Sequence, residues 1–150
     1  MNNWSTDVRN LGVEPFVTNG SDVESHFLSA KHLAAVNSGV SEADFQCLLD
    51  AAVAATRDSS IQHLVNGRID VERAKGTQAS INHGKLAVDS QKLYDQNPVN
   101  LSHGKTLMKR LRADFQTAFR TGLRDIAVSE YVAVPSLQTF AKKVFKHQQK

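Results

Sequence analysis

Between Lys105 and Ile126 apolar and cationic residues recur with the period of an α-helix, and no other stretch constrains the fold as tightly. At about 100° per residue, Leu107, Met108, Leu111, Phe115, Ala118, Phe119 and Ile126 fall on one arc. Lys105, Lys109, Arg110, Arg112, Arg120 and Arg124 fall on most of the other, with Asp114 and Asp125 near one border. In a globular chain the apolar arc of such a segment closes a core and the cationic arc stays outside. Ser102 is placed to cap it, so a helix over 103–126 is expected.

The rest of the chain repeats the helical theme. Ser21, Asp22, Val23 and Glu24 read as a capping box, and Val23, Phe27, Ala30, Leu33 and Ala34 follow on one face up to Gly39. Ser41 to Asp44 opens a second helix with an acidic first turn, which suits the helix dipole. Phe45, Leu48, Leu49, Ala52 and Val53 form its stripe, and the Ser-Gly turn between the two predicts a helical hairpin. A short third helix around Ile61, Leu64 and Val65 is expected to end at Asn66-Gly67. Residues 70–96 allow helix, interrupted at Gly76 and Gly84, and Asn97-Pro98 marks a boundary. Ser129 to Pro135 alternates and reads as extended. Ser136 caps a last helix with Leu137, Phe140, Ala141, Val144 and Phe145 inward and Lys142, Lys143 and Lys146 outward.

These elements make one all-α domain over 1–150, a four-helix bundle. It has an irregular, extended arm at 1–20, main helices over 21–126, and an extended stretch plus a basic helix over 127–150. The 150 residues, 41% hydrophobic with 3 prolines and 8 glycines, suffice for one core. No apolar run approaches the ~18 residues of a membrane span, and MNNWSTDVRN lacks the features of a signal peptide. The single cysteine, Cys47, excludes an internal disulfide framework. Its place beside Leu48 and Leu49 predicts a buried structural thiol.

Charge is divided unevenly. Residues 1–102 carry 8 Lys/Arg against 12 Asp/Glu, whereas 103–150 carry 10 against 3. Such a split fits a polyanion bound at the basic end, or contacts between copies of the chain. The cationic arc has bland readings too, a solvated helix face or a membrane-surface helix. Four arginines to two lysines on 105–124 favour bidentate phosphate contact. His-Gly-Lys occurs at 83–85 and again at 103–105; a glycine and a lysine at a helix start can receive phosphate, but a tripeptide recurs readily by chance.

Signatures of catalysis are missing: there is no phosphate-binding Gly-rich loop ending in Gly-Lys-Ser/Thr, no HExxH, no Gly-x-Ser-x-Gly and no Cys-x-x-Cys. His26 and His32 are six apart, ~240° round a helix, and do not converge on a metal. No catalytic residue, metal ligand or cofactor is therefore assigned.

Arg110, Asp114, Ala118, Arg120 and Leu123 form a pattern that resembles the basic, inward-running long helix of rod-shaped plant virus coat proteins of the tobamovirus and tobravirus type. The hairpin at 22–57 is similar to their first helix pair. Gly67-Arg68-Ile69-Asp70-Val71-Glu72 is similar to the segment entering their RNA channel, and Gln138-Thr139-Phe140 to their C-terminal ending. Chain length agrees. The family's long Phe-Pro-bearing segment between its second and third helices is missing, and Leu137 and Ala141 stand where it has Arg and Glu. The resemblance implies a bundle that polymerises helically around single-stranded RNA, in virions and host cytoplasm. Arg110, Arg68 and Arg120 would contact phosphates, and Asp114 would lie beside the RNA and limit how tightly it is held. Asp70 and Glu72 match the region where such coats place the repelling inter-subunit carboxylates that trigger disassembly. Lys109, Arg112 and Arg124 join the RNA-binding set from the cationic arc. The alternative is an adaptor or assembly module that uses the same arc against an acidic protein.

Overall fold

The computed structural model describes residues 22–76, 81–127 and 129–132, and all regular structure among them is helical. A 3-10 turn at Val23–Phe27 leads into α1 (Ala30–Val36), α2 (Glu42–Ala74), α3 (His83–Gln96), α4 (Pro98–Leu101) and α5 (Gly104–Phe119), with a second 3-10 turn at Glu130–Val132. No helix among the described residues is long and apolar enough to cross a membrane. The arm at 1–20, Ser21 and the last helix from Ser136 lie outside the described residues.

The first expected helix is two pieces, because two polar side chains inside it act as caps. Asp22 accepts a hydrogen bond from the Ser25 amide at 3.2 Å and starts the 3-10 turn. Ser29 accepts from the His32 amide at 3.2 Å and starts α1 afresh. The start of α2 follows expectation and adds a full capping box. Asp44 N–H donates to Ser41 Oγ at 3.1 Å while Ser41 N–H donates back to Asp44 Oδ2 at 3.2 Å.

The expected stop at Gly67 is wrong: α2 runs unbroken for 33 residues, about 50 Å at 1.5 Å per residue. Its covered stripe continues through Phe45, Leu49, Ala52, Thr56 and Ser60 to the half-buried Leu64, Arg68 and Glu72. The stripe keeps helical spacing but turns from apolar to polar, and this hid its continuity. Gly67 lies on the solvent side with open space around its α-carbon. Gly67→Ala is therefore expected to stabilise the protein by about 1 kcal/mol, measured as a higher urea midpoint at unchanged slope.

The core gathers Leu28, Ala30 and Leu33 from the first two elements, Phe45, Leu49 and Ala52 from α2, and Leu107, Met108, Leu111 and Phe115 from α5. Phe45 and Phe115 stack nearly parallel at 5.4 Å. From Arg57 onward, α2 pairs with α3 through polar contacts. Tyr94 Oη lies 3.0 Å from Ser102 Oγ, Ser60 Oγ donates to Ser102 Oγ at 3.4 Å, Arg57 meets Asp95 at 2.8 Å, and Arg68 donates to the buried Ser90 Oγ at 3.1 Å. Ser102 thus ties α2 to α3, its hydroxyl donating to the Pro98 carbonyl at 2.7 Å, and the N-cap position of α5 is His103 rather than Ser102. Cys47 is exposed on α2, contrary to expectation, because Phe45 and Leu49 on either side take the inward positions.

The basic helix ends at Phe119, seven residues short of the expected 126. Arg120 takes a left-handed conformation (φ 57°) at the C-cap and turns the chain out of the helix. Ala118 and Phe119 are exposed and Ile126 is 61% exposed, so the inward arc stops at Phe115. The 129–135 stretch, expected to be extended, begins as the 3-10 turn at Glu130–Val132; 133–135 lie outside the described residues.

Candidate nucleic-acid interface

Four buried side chains, Leu107, Met108, Leu111 and Phe115, fix which side of α5 faces out. The outward side carries Lys105, Lys109, Arg110 and Arg112, all exposed, on two turns of helix. Further along, Ala113, Gln116, Thr117 and Arg120 line an open groove of about 640 Å³. All four are exposed.

The cations are not equivalent. Arg110 Nε donates to Asp114 Oδ2 at 2.8 Å along the helix, and Asp114 is half-buried. An exposed pair of this spacing contributes only a few tenths of a kcal/mol, so a phosphate can displace it. Arg112 is bound differently. Its Nε donates to Asp125 Oδ2 at 2.5 Å, and Asp125 is 6% exposed. That hydrogen bond holds the Arg112 pKa above its ordinary value, against a smaller opposing effect of burial. Surrendering Arg112 to a ligand would strand a buried carboxylate, which is costly.

Asp125 belongs to a strap that follows Arg120 and lies back on α1. Asn37 holds the Arg124 backbone at both ends: its Nδ2 donates to the Arg124 carbonyl at 2.7 Å and its Oδ1 accepts from the Arg124 amide at 2.9 Å. The ring of His32, fully buried, is bonded on both sides. Its Nε2 donates to the Asp125 carbonyl at 2.6 Å, and its Nδ1 lies 2.8 Å from Ser129 Oγ. Arg124 is exposed on this strap and is not part of the α5 face, a correction that follows from the early helix end.

Arg68, Asp70 and Glu72 sit on α2 some eight residues beyond Ser60, about 12 Å of helix farther along. They form a second locality. Arg68, Glu72, Ile81, Asn82, Lys85, Leu86 and Asp89 line an open groove of about 470 Å³ between α2 and α3. Two carboxylates balance its two cations. Asp70 pairs with Arg73 at 3.3 Å and Glu72 with Lys75 at 2.7 Å, each within α2. Lys85, missed as a candidate, was flagged in sequence by its His-Gly-Lys setting.

At both His-Gly-Lys copies the lysine amide is already occupied. Asn82 Oδ1 accepts from the Lys85 amide at 2.9 Å. At the second copy a residue 83 positions away does the same: Asp22 Oδ2 accepts from the Lys105 amide at 3.1 Å. One amide of each helix start is thus already taken by a side chain of the protein. Among the described residues no three His, Cys, Asp or Glu side chains group to hold a metal. Comparison with protein-family models, with curated proteins and with solved structures found no match to this chain.

Proposed function

We propose that this chain is a non-enzymatic structural protein that binds single-stranded RNA and assembles with copies of itself, a helical viral coat subunit acting in the virion and host cytoplasm. The observation that carries the reading is the outward face of α5, where Lys105, Lys109 and Arg110 project above a wholly buried apolar row. Arg120 extends the face along its groove. Arg112 is assigned to holding the strap, and Arg68 to a separate, charge-balanced locality. In this reading the described helices belong to a four-helix bundle, with the apolar face expected at 137–145 supplying its last member.

Phosphate contacts release counterions, so affinity should fall steeply with salt. Filter binding of single-stranded RNA across a salt series is expected to give a linear log–log decline. The double charge reversal Lys109→Glu/Arg110→Glu should flatten its slope by roughly 0.7 per lost phosphate contact. Affinity that is absent, or indifferent to salt, in the wild type would sink the nucleic-acid reading. Electron microscopy with and without RNA tests assembly, for which rods or discs are expected.

A second reading rests on the pairing of Arg110 and Arg112 with carboxylates of their own chain. A face already part-neutralised also suits an acidic protein partner, as in an adaptor or assembly module. A stable monomer that ignores RNA would favour it.

A further inference from the structure

Two neighbouring residues at the end of α5 are unusual for a chain that needs only a stable helix there. Phe119 lies beyond the core boundary at Phe115 and is 36% exposed. Its ring nevertheless has a fixed seat. It rests on the Phe115 ring with centroids 4.8 Å apart, tilted by 36°, and Phe115 is in turn stacked on Phe45. The core thus holds an aromatic ring in place while part of it meets solvent.

The next residue, Arg120, is the one non-glycine of positive φ among the described residues. Its left-handed backbone (φ 57°, ψ 24°) ends the helix, with its N–H donating to the Gln116 carbonyl. Glycine fills such a position without a Cβ penalty, and strain of this kind concentrates at ligand-binding positions. Arg120 lines the open groove shared with Ala113, Gln116 and Thr117. Lys109, Ala113, Gln116 and Arg120 follow at helical spacings of four, three and four, one line along the outward side of α5. Arg110 and Arg112 each have a carboxylate partner on their own chain; among the described residues no carboxylate is paired with Arg120.

Proteins that take single-stranded nucleic acid combine these two features, cations that track the phosphates and an aromatic face on which a base stacks. We propose that Phe119 and Arg120 form a nucleotide subsite at the end of α5. A base of single-stranded RNA lies on the Phe119 ring, and a neighbouring phosphate meets the Arg120 guanidinium. The inference rests on single-stranded RNA as the ligand and adds a non-ionic contact that the row of cations does not supply.

Filter binding of polyuridylate and of inorganic polyphosphate to the full chain, each across a salt series, tests it. Phe119→Leu keeps apolar bulk against Phe115 and removes the π-face. It should bind polyuridylate about tenfold more weakly at an unchanged salt slope, because stacking releases no counterions. Phe119→Tyr should bind like wild type. Polyphosphate carries charge and no base, so Phe119→Leu should hold it as wild type does. Arg120→Ala and Arg120→Gly should both flatten the polyuridylate salt slope by roughly 0.7. Of these two, Arg120→Gly should unfold at the higher urea midpoint, since only glycine relieves the backbone. Polyuridylate binding unchanged in Phe119→Leu overturns the stacking platform and leaves RNA binding standing. An equal loss against polyphosphate overturns it too, by showing that the cations were disturbed. A salt slope unchanged in Arg120→Ala overturns the phosphate contact. Absence of RNA binding in the wild type overturns the subsite and the RNA-binding function together.

Discussion

Phe115→Ala is expected to lower the free energy of unfolding by about 3–5 kcal/mol, the range for truncating a buried aromatic side chain. The ring is 1% exposed, stacks on Phe45 at 5.4 Å and touches Phe119 at 4.8 Å. Removing it leaves a cavity bounded by α2 on one side and the end of α5 on the other, and neither can move in without giving up its own contacts. Aromatic pairing adds about 0.5–1.5 kcal/mol beyond the area buried. A domain of this size has a total stability of about 5–15 kcal/mol, so the variant should retain little margin at room temperature. Urea unfolding followed by circular dichroism reads the loss directly. Phe119→Ala is the internal control. At 36% exposed, one turn along the same helix, it should cost under about 1 kcal/mol. Equal losses at the two positions would contradict the placement of the core boundary at Phe115.

That boundary shows what local sequence can and cannot reveal. The inward row Leu107, Met108, Leu111 and Phe115 follows from spacing alone, because burial of a helix face needs only period and hydrophobicity. The end of the helix does not. Arg120 adopts a left-handed conformation that glycine takes most easily, while the glycine that is present, Gly122, comes two residues later. A wheel drawn past 119 therefore collected Arg124 and Ile126 onto faces they do not occupy. The length of α2 was hidden for a related reason. Asn66-Gly67 is a strong local stop signal, and the packing of α3 against the far half of α2 overrides it through Arg68 and Ser90.

The candidate site divides in the same way. Its cations were legible one by one, and so was the Arg110–Asp114 pair, since four-residue spacing puts both on one side of a helix. The pairing of Arg112 was not. It depends on a strap anchored by Asn37 and His32, whose partners lie 87 to 97 positions away in sequence, and nothing in their flanking residues announces the contact. The role of Asp22 was likewise invisible. Read locally it belongs to the first turn of a helix, whereas it also caps α5 from the other side of the chain. Function inferred from a cationic stripe alone would count Arg112 among the ligand contacts; the buried Asp125 moves it to the scaffold.

Gly104→Ala is expected to destabilise the protein by about 2–4 kcal/mol, although the same change at Gly67 should stabilise it. In an exposed helix interior, alanine is preferred over glycine by about 1 kcal/mol, and Gly67 meets nothing within 4 Å. Gly104 is buried, and a Cβ built there would stand 2.7 Å from the Ser25 amide nitrogen and closer still to Asp22 Oδ1. The carboxylate could swing aside, but it would then release the amides of Ser25 and Lys105 that it holds. Loss of such a cap costs about 0.5–2 kcal/mol. The backbone nitrogen cannot swing at all, so the 3-10 turn would have to lift from α5, an overpacking cost of about 1–3 kcal/mol. Both routes separate the first turn of the chain from the basic helix. Amide hydrogen exchange locates the effect: protection should drop at Ser25 and Lys105 in Gly104→Ala while the α2–α3 pairing keeps its own. A Gly104→Ala protein as stable as wild type would show that α5 does not depend on the close approach of Asp22.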